Sequence, residues 1–221
     1  MTEGLQLVGA NAFHTAGILG GGVDVAIIDG DGFASYASAE IPGTVATVSL
    51  RGDGTMGSGD HGTACAEVVA DMAPEANLTL IAVDTAMSME VAAEYVANQG
   101  FDVCLMSWGL EGGPYDGSHP LSQEVNQARA AGVFWVNAAG NHAQRHYEGQ
   151  FADSDGDGLN EFGGGDETLD LYIDPALLWP TPGVFKAYLS WYQTTPSGMT
   201  NHDFDLVLVD ASGCLLYTSD A

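Results

Sequence analysis

Four near-continuous apolar runs set the strongest limit on how this chain folds. They are VDVAIID (23–29), ANLTLIAVD (76–84), FDVCLMSWG (101–109) and GVFWVNAAGN (132–141). A strand with one wet face alternates polar and apolar residues, whereas a parallel strand covered on both faces reads as a continuous apolar run. Between the runs lie HGTACAEVVADM, SMEVAAEYVANQG and PLSQEVNQARAAG, with helical apolar spacing and a small or capping residue near each start. Strands alternating with helices predict the α/β class, as a doubly wound parallel sheet with helices on both faces. Chemistry in such sheets gathers at the C-terminal strand ends, where Asp29, Ser107 and Asn141 fall.

Past about residue 147 the texture changes. Gly and Asp crowd FADSDGDGLNEFGGGDE, helical periodicity stops, and the short runs TLDLYI, VFKAYLSWYQ and DFDLVLVD follow. These predict the start of an inserted antiparallel β-module. The expected division is a core at 1–147, an acidic β-insertion at 148–213, and a tail at 214–221.

Thirty Asp and Glu against four Lys and Arg give a formal net charge of −26. That balance excludes non-specific nucleic-acid binding, which needs cations to displace counterions from phosphates, and disfavours anionic membrane surfaces. Adaptation to a salty medium and local calcium ligation both remain open. Cys65, Cys104 and Cys214 are an odd number at no metal-ligand spacing, so no disulfide framework is expected. No segment has the length of a membrane span and no basic, apolar leader precedes the first strand.

Asp29 ends a buried strand at a Gly-rich turn, His61 opens a helix, and Asn141 closes NAAGN after a later strand. A carboxylate can fix an imidazole tautomer, the imidazole can deprotonate a hydroxyl, and an amide N–H can stabilise an oxyanion. Singly, each also suits a turn or a cap.

Jointly, and in order, these motifs resemble the subtilisin-like serine peptidases, the subtilases. VAIID resembles the strand of that family's catalytic Asp, HGTACAE its histidine motif, AAGN its oxyanion-hole motif and MSWG its Ser-x-Gly substrate strand. The similarity covers roughly residues 5 to 147. It implies a subtilisin-like sheet, with Asp29 orienting His61, His61 acting as general base and then acid, and Asn141 donating to the oxyanion. It also implies that Ser107 and Gly109 line the groove for a peptide or protein substrate, with Trp108 shaping a subsite or serving as packing. Two departures stand out. The family has Asp-Thr-Gly or Asp-Ser-Gly where this chain has DGDGF, which makes Asp31 a rival to Asp29, although the alternation of Val23, Val25 and Ile27 runs straight into Asp29; and Glu67 stands where Gly is usual. Cys65, one helical turn after His61, is expected as a small core residue.

DSDGDG (153–158) sets Asp153, Asp155 and Asp157 at alternate positions around Gly turns, a pattern that suits Ca²⁺. Glu161 is the expected fourth ligand, with Asp166 and Glu167 as alternatives; a solvated acidic turn is the competing reading. NHDFDLVLVDASG resembles the Asp-x-Asp-Leu strand of β-sandwich modules that accompany secreted peptidases.

The family's nucleophile stands in Gly-Thr-Ser-Met-Ala at a helix start, and the sequence contains no such stretch; PSGMT (196–200) and Ser219 lack its context. There is no G-x-S-x-G elbow and no phosphate-binding Gly-Lys-Ser/Thr. CLLYTSDA (214–221) is what TGTCTCTTATACACATCTGACGCT encodes, which resembles a transposase mosaic-end adapter read in frame. Native sequence is therefore expected to stop near Gly213, in a truncated bacterial or metagenomic reading frame. The expected function is a secreted or periplasmic serine endopeptidase, with this fragment inactive for want of its serine. The alternative is a non-catalytic pseudopeptidase, or a calcium-dependent binding protein, on the same fold. The oligomeric state is not legible.

Overall fold

The computed structural model describes residues 4–41, 45–110, 116–141, 146–170, 187–189 and 204–218. Two short helices, α1 (Gly4–Leu7) and α2 (Ala10–Thr15), precede strand β1 (Asp24–Asp29). Then come β2 (Val45–Ser49), α3 (His61–Met72), β3 (Asn77–Ala82), α4 (Ala86–Gln99), β4 (Val103–Met106), α5 (Pro120–Ala130) and β5 (Phe134–Asn137). A last pair, β6 (Val207–Val209) and β7 (Leu215–Thr218), forms a separate antiparallel ladder.

The five strands β1 to β5 make one sheet in the order β2-β3-β1-β4-β5, with every pair parallel. The chain starts at the middle strand, so its crossovers run first to one side and then to the other. Strand parity sorts the side chains. Val25 and Ile27 of β1 join Leu78, Leu80, Ala66 and Ala70 in a core beneath α3. Ala26 and Ile28 face the other way, into a core with Met89, Ala93 and Val96 of α4 and Leu121 and Ala128 of α5. Covering both faces is what makes the apolar runs of β1, β3 and β4 continuous. Ile27, Ile28 and Leu80 are fully buried, and each such side chain contributes about 1.5–3 kcal/mol relative to exposure.

The small residues of α3, with Gly62, Thr63, Ala66 and Ala70 buried, let the helix approach the sheet closely. Helix α4 starts with a capping box, in which Thr85 accepts from Ser88 N at 3.1 Å and Ser88 Oγ accepts from Thr85 N at 2.9 Å. Helix α5 is capped by His119, whose Nδ1 accepts from Leu121 N at 3.1 Å, with Pro120 in the first turn.

The four apolar runs all become strands, and the three helical stretches become α3, α4 and α5. Strand β2 adds a fifth that its sequence, VATVS, does not announce. It is an edge strand with no fully buried residue, and VATVS is too short and too mixed in polarity to read as an apolar run. Of the predicted later strands, DFDLVLVD contributes β6, while most of TLDLYI and VFKAYLSWYQ lies outside the described residues. β7 is built from tail residues and pairs with β6 through a register shift at Leu208/Val209. The chain forms two compact units, Met1–Ala139 with Leu189–Ala221, and Gly140–Tyr188. Among the described residues, no helix is long and apolar enough to cross a membrane.

Candidate active site

Asp29 is the last residue of β1 and continues the parity of Val25 and Ile27, so its side chain leaves the sheet on the α3 side. It is 1% exposed, and a carboxylate so buried persists only if its oxygens are satisfied. Oδ1 accepts from Asp31 N at 2.9 Å and Gly32 N at 3.0 Å. Oδ2 stands 2.6 Å from His61 Nδ1. The Asp29 carbonyl accepts from Val83 N at 3.0 Å, tying the strand end to the end of β3.

His61 is the first residue of α3, with its side chain 52% exposed. One ring nitrogen meets a buried carboxylate while much of the ring remains open. This geometry holds the proton on Nδ1 and leaves Nε2 as the basic atom.

The Gly that follows is a packing requirement. A Cβ at Gly62 would stand 2.6 Å from the Phe33 ring, 2.7 Å from Asp29 Cβ and 2.7 Å from the Gly32 carbonyl. Gly62 N also donates to Gly32 O at 2.9 Å. The first turn of α3 is thereby pressed on the Asp29 turn, and His61 is brought to its carboxylate.

Asp31 has a different place. Its Oδ2 accepts from the backbone N–H of His61 at 3.2 Å and its carbonyl accepts from Gly59 N at 3.2 Å. The carboxylate therefore caps the helix that carries the base, while Asp29 meets the ring. Gly59 accommodates it, because a Cβ there would lie 1.9 Å from Asp31 Oδ2. Asp60, just before the helix, is drawn to Ser35 instead, accepting from its N at 2.8 Å and its Oγ at 2.7 Å. The Ser35 hydroxyl, then its amide, holds the Asp60 carboxyl below the usual range.

Arg51, in the loop after β2, reaches across the C-terminal edge of the sheet. Its Nη1 donates to Gly30 O at 3.2 Å and Val83 O at 3.0 Å, and its Nε to Asp53 Oδ1 at 3.3 Å. No motif marked this residue; the only signal was a rare cation in a very acidic chain. Cys65 is half-buried against the α3 core. Its sulfur, an Asp29 oxygen and a His61 nitrogen all lie within 4.8 Å of one another. Glu67 Oε1 accepts from Glu40 N at 3.3 Å. Cys104, on β4 and facing the core of the α4 and α5 side, has its thiol pushed far up by burial.

Ser107, Trp108 and Gly109 follow directly on β4. Ser107 is half-buried and Gly109 exposed, and a Cβ at Gly109 would meet nothing within 4 Å. The Trp108 ring lies against Gly30 and packs on the core of the α4 and α5 face. Asn141 is an exposed residue beyond the end of β5, in the second compact unit.

Within that second unit, Asp153, Asp155 and Asp157 each present an oxygen within 4.8 Å of the others. The loop is a run of side-chain turns. Asp153 accepts from Gly156 N at 2.6 Å and Gly158 N at 3.0 Å, Asp155 from Asp157 N at 3.3 Å, and Asp157 from Leu159 N at 2.8 Å. Gly156 and Gly158 take φ of 83° and 92°, a region that disfavours other residues. Glu161 turns its Oε1 to the amide and hydroxyl of Ser154, and that hydroxyl, then the amide, lowers its carboxyl below the usual range. The Glu167 carboxyl is raised, first by the charge of Asp157, then by desolvation and by Asp155, Glu161 and Asp153. Asp166 is held low by the amide and hydroxyl of Thr168.

Comparison with known proteins finds peptidases similar to this chain. Subtilisin DY from Bacillus licheniformis is 34% identical over 153 residues, covering 62% of this chain and 54% of that protein. Subtilisin Savinase from Lederbergia lenta is 31% identical, covering 62% and 55%. The thermostable alkaline protease of Halalkalibacterium halodurans is 29% identical, covering 62% and 41%. The chain thus spans about half the length of the curated relatives it matches. A solved lanthipeptide protease overlaps it with a TM-score of 0.47 and 23% identity, over 60% of this chain and 44% of that one. The subtilase family model (Peptidase S8) matches residues 20–160, most of the chain, and the protein belongs to the subtilase family.

Proposed function

We propose that this chain carries the acid and base of a serine endopeptidase. The observation that carries the reading is the 2.6 Å contact of His61 Nδ1 with the buried Asp29 Oδ2, beside an open ring edge. In this reading His61 Nε2 takes the proton of a serine hydroxyl as it attacks a peptide carbonyl, then returns it to the leaving amine. Asp29 stabilises the imidazolium that forms in between. The side chain of Asn141 donates to the oxyanion, and the backbone of Ser107 and Gly109 pairs with an extended peptide substrate. The 221 residues hold no Gly-Thr-Ser-Met-Ala stretch, so the reading assigns the nucleophile to protein outside them and expects this chain alone to be inactive. The full protein is proposed to work outside the cytoplasm.

Calcium is proposed for the acidic loop DSDGDG (153–158), inside the expected insertion of residues 148–213. The donor set fits: three carboxylates converge within 4.8 Å, and hard oxygen ligands are what Ca²⁺ takes. Asp153, Asp155 and Asp157 would hold the ion, with Glu161 bracing Ser154 at the rim. The ion would supply positive charge that cancels carboxylate repulsion.

A full-length clone treated with a serine-directed phosphonate tests the enzyme reading. Covalent labelling supports it, and no labelling in a protein with an intact Gly-Thr-Ser helix favours the non-catalytic alternative. Calcium titration of the 221-residue chain tests the loop: saturable binding that Asp153→Asn removes is expected, and no binding heat overturns it.

A further inference from the structure

We propose that Trp108 and Gly30 form an interlocked pair that positions Asp29, with the indole occupying the space where a Cβ of residue 30 would stand. The inference rests on the reading of Asp29 and His61 as a working dyad. Gly30 is not in the left-handed region, so its backbone suits any residue and conformation does not explain the glycine. Space explains it. A Cβ at Gly30 would lie 2.3 Å from Cε3, 2.4 Å from Cζ3 and 2.5 Å from Cδ2 of Trp108, contacts that no packed interior tolerates.

The pair accounts for one departure at this turn. Where the family pattern has Thr or Ser after its Asp, this chain has Gly30, and the vacated space is filled by a ring reaching in from the end of β4. Trp108 also packs on the core formed with α4 and α5, so the indole links that core to the turn. On its carbonyl side, the same Gly30 residue accepts from Arg51 Nη1. The next two amides, of Asp31 and Gly32, are the donors to Asp29 Oδ1. Any shift of residue 30 therefore displaces the hydrogen bonds that aim Asp29 at His61. Trp108 acts through Asp29, which makes it a positioning residue.

The test uses the 221-residue chain and the imidazole ¹⁵N shifts of His61, assigned by their loss in His61→Gln. At about pH 8, above the ordinary imidazole range, the wild type is expected to show the Nδ1–H tautomer. Gly30→Ser should lose that signature, because the ring and the new Cβ cannot share the space. Gly30→Ser with Trp108→Leu should regain it. Overturning outcomes are unchanged shifts in Gly30→Ser, or a double variant that folds by circular dichroism yet fails to regain the tautomer. Should Gly30→Ser not fold, the double variant still decides: native ellipticity with wild-type shifts supports the pair, and anything else overturns it. Phosphonate labelling of the full-length protein separates the two readings. No labelling with the coupled shifts intact removes the peptidase and keeps the pair, and labelling with uncoupled shifts does the reverse.

Discussion

Asp29 and Asp153 are bonded alike, yet they have opposite consequences. Each accepts hydrogen bonds from two backbone amides a few residues downstream. Asp29 is buried over a packed sheet, and its second oxygen faces an imidazole. Asp153 belongs to a solvent-facing run in which the neighbouring side chains are carboxylates, and their summed charge raises Glu167. The same local turn chemistry thus yields a carboxylate oriented on His61 where a core and a cation-forming partner surround it. Where carboxylates crowd around it, the outcome is a repulsive run that raises Glu167.

The sharpest test of that contrast is activity in the full-length protein. Asp29→Asn keeps the shape but favours the wrong imidazole tautomer, and kcat for peptide hydrolysis should fall by about 10⁴. Asp155→Asn should leave kcat unchanged at saturating calcium. Equal losses in steady-state assays would erase the distinction between the two regions.

Stability should divide the same way. Ile28→Ala empties a fully buried position under α4 and is expected to cost about 2–5 kcal/mol in urea unfolding of the 221-residue chain. Leu159→Ala, at a position 48% exposed, should fall within about 0.5 kcal/mol of wild type. Next in size is Gly62→Ala. Its new methyl must displace Phe33 or the Asp29 turn, at a cost of about 1–3 kcal/mol. A Gly62→Ala protein as stable as wild type would mean that α3 does not press on that turn.

These residues also mark what the sequence could and could not reveal. Strands β1, β3 and β4 were legible because cover on both faces leaves a continuous apolar run, whereas β5 has the apolar run although it lies at the sheet edge with Phe134 and Val136 exposed among the described residues. Edge strand β2 carries no such record. Strand alternation through Val23, Val25 and Ile27 favoured Asp29 in sequence, with Asp31 kept as a rival because both stand within one Gly-rich turn. Strand parity resolves the geometry, sending Asp29 to the ring and Asp31 to the backbone of His61. Gly62 was legible as a motif member, but its reason is the crowding around it. Arg51 and the Gly30–Trp108 contact left no periodic trace, since both are pairings between loops remote in sequence. The acidic loop was legible as Asp and Gly alternation, because each side-chain turn spans only a few residues.

The smallest effect lies in the charge of that loop. Glu167 is a carboxyl raised above its ordinary value, chiefly by Asp157. Its ionised form therefore opposes the ordered loop: that opposition is present above the folded-state pKa and is relieved as pH falls through it toward the usual carboxylate range of about 4.3. A bound Ca²⁺ reverses the sign of the local field and favours the carboxylate, so calcium added just above that range should release a fraction of a proton per chain. Titration in weak buffer with a pH indicator reads the release directly. It should vanish in Glu167→Gln and shrink in Asp157→Asn, the largest contributor to the raised carboxyl. Calcium binding with no release in the wild type would place Glu167 outside the ion's field and confine the site to the three aspartates.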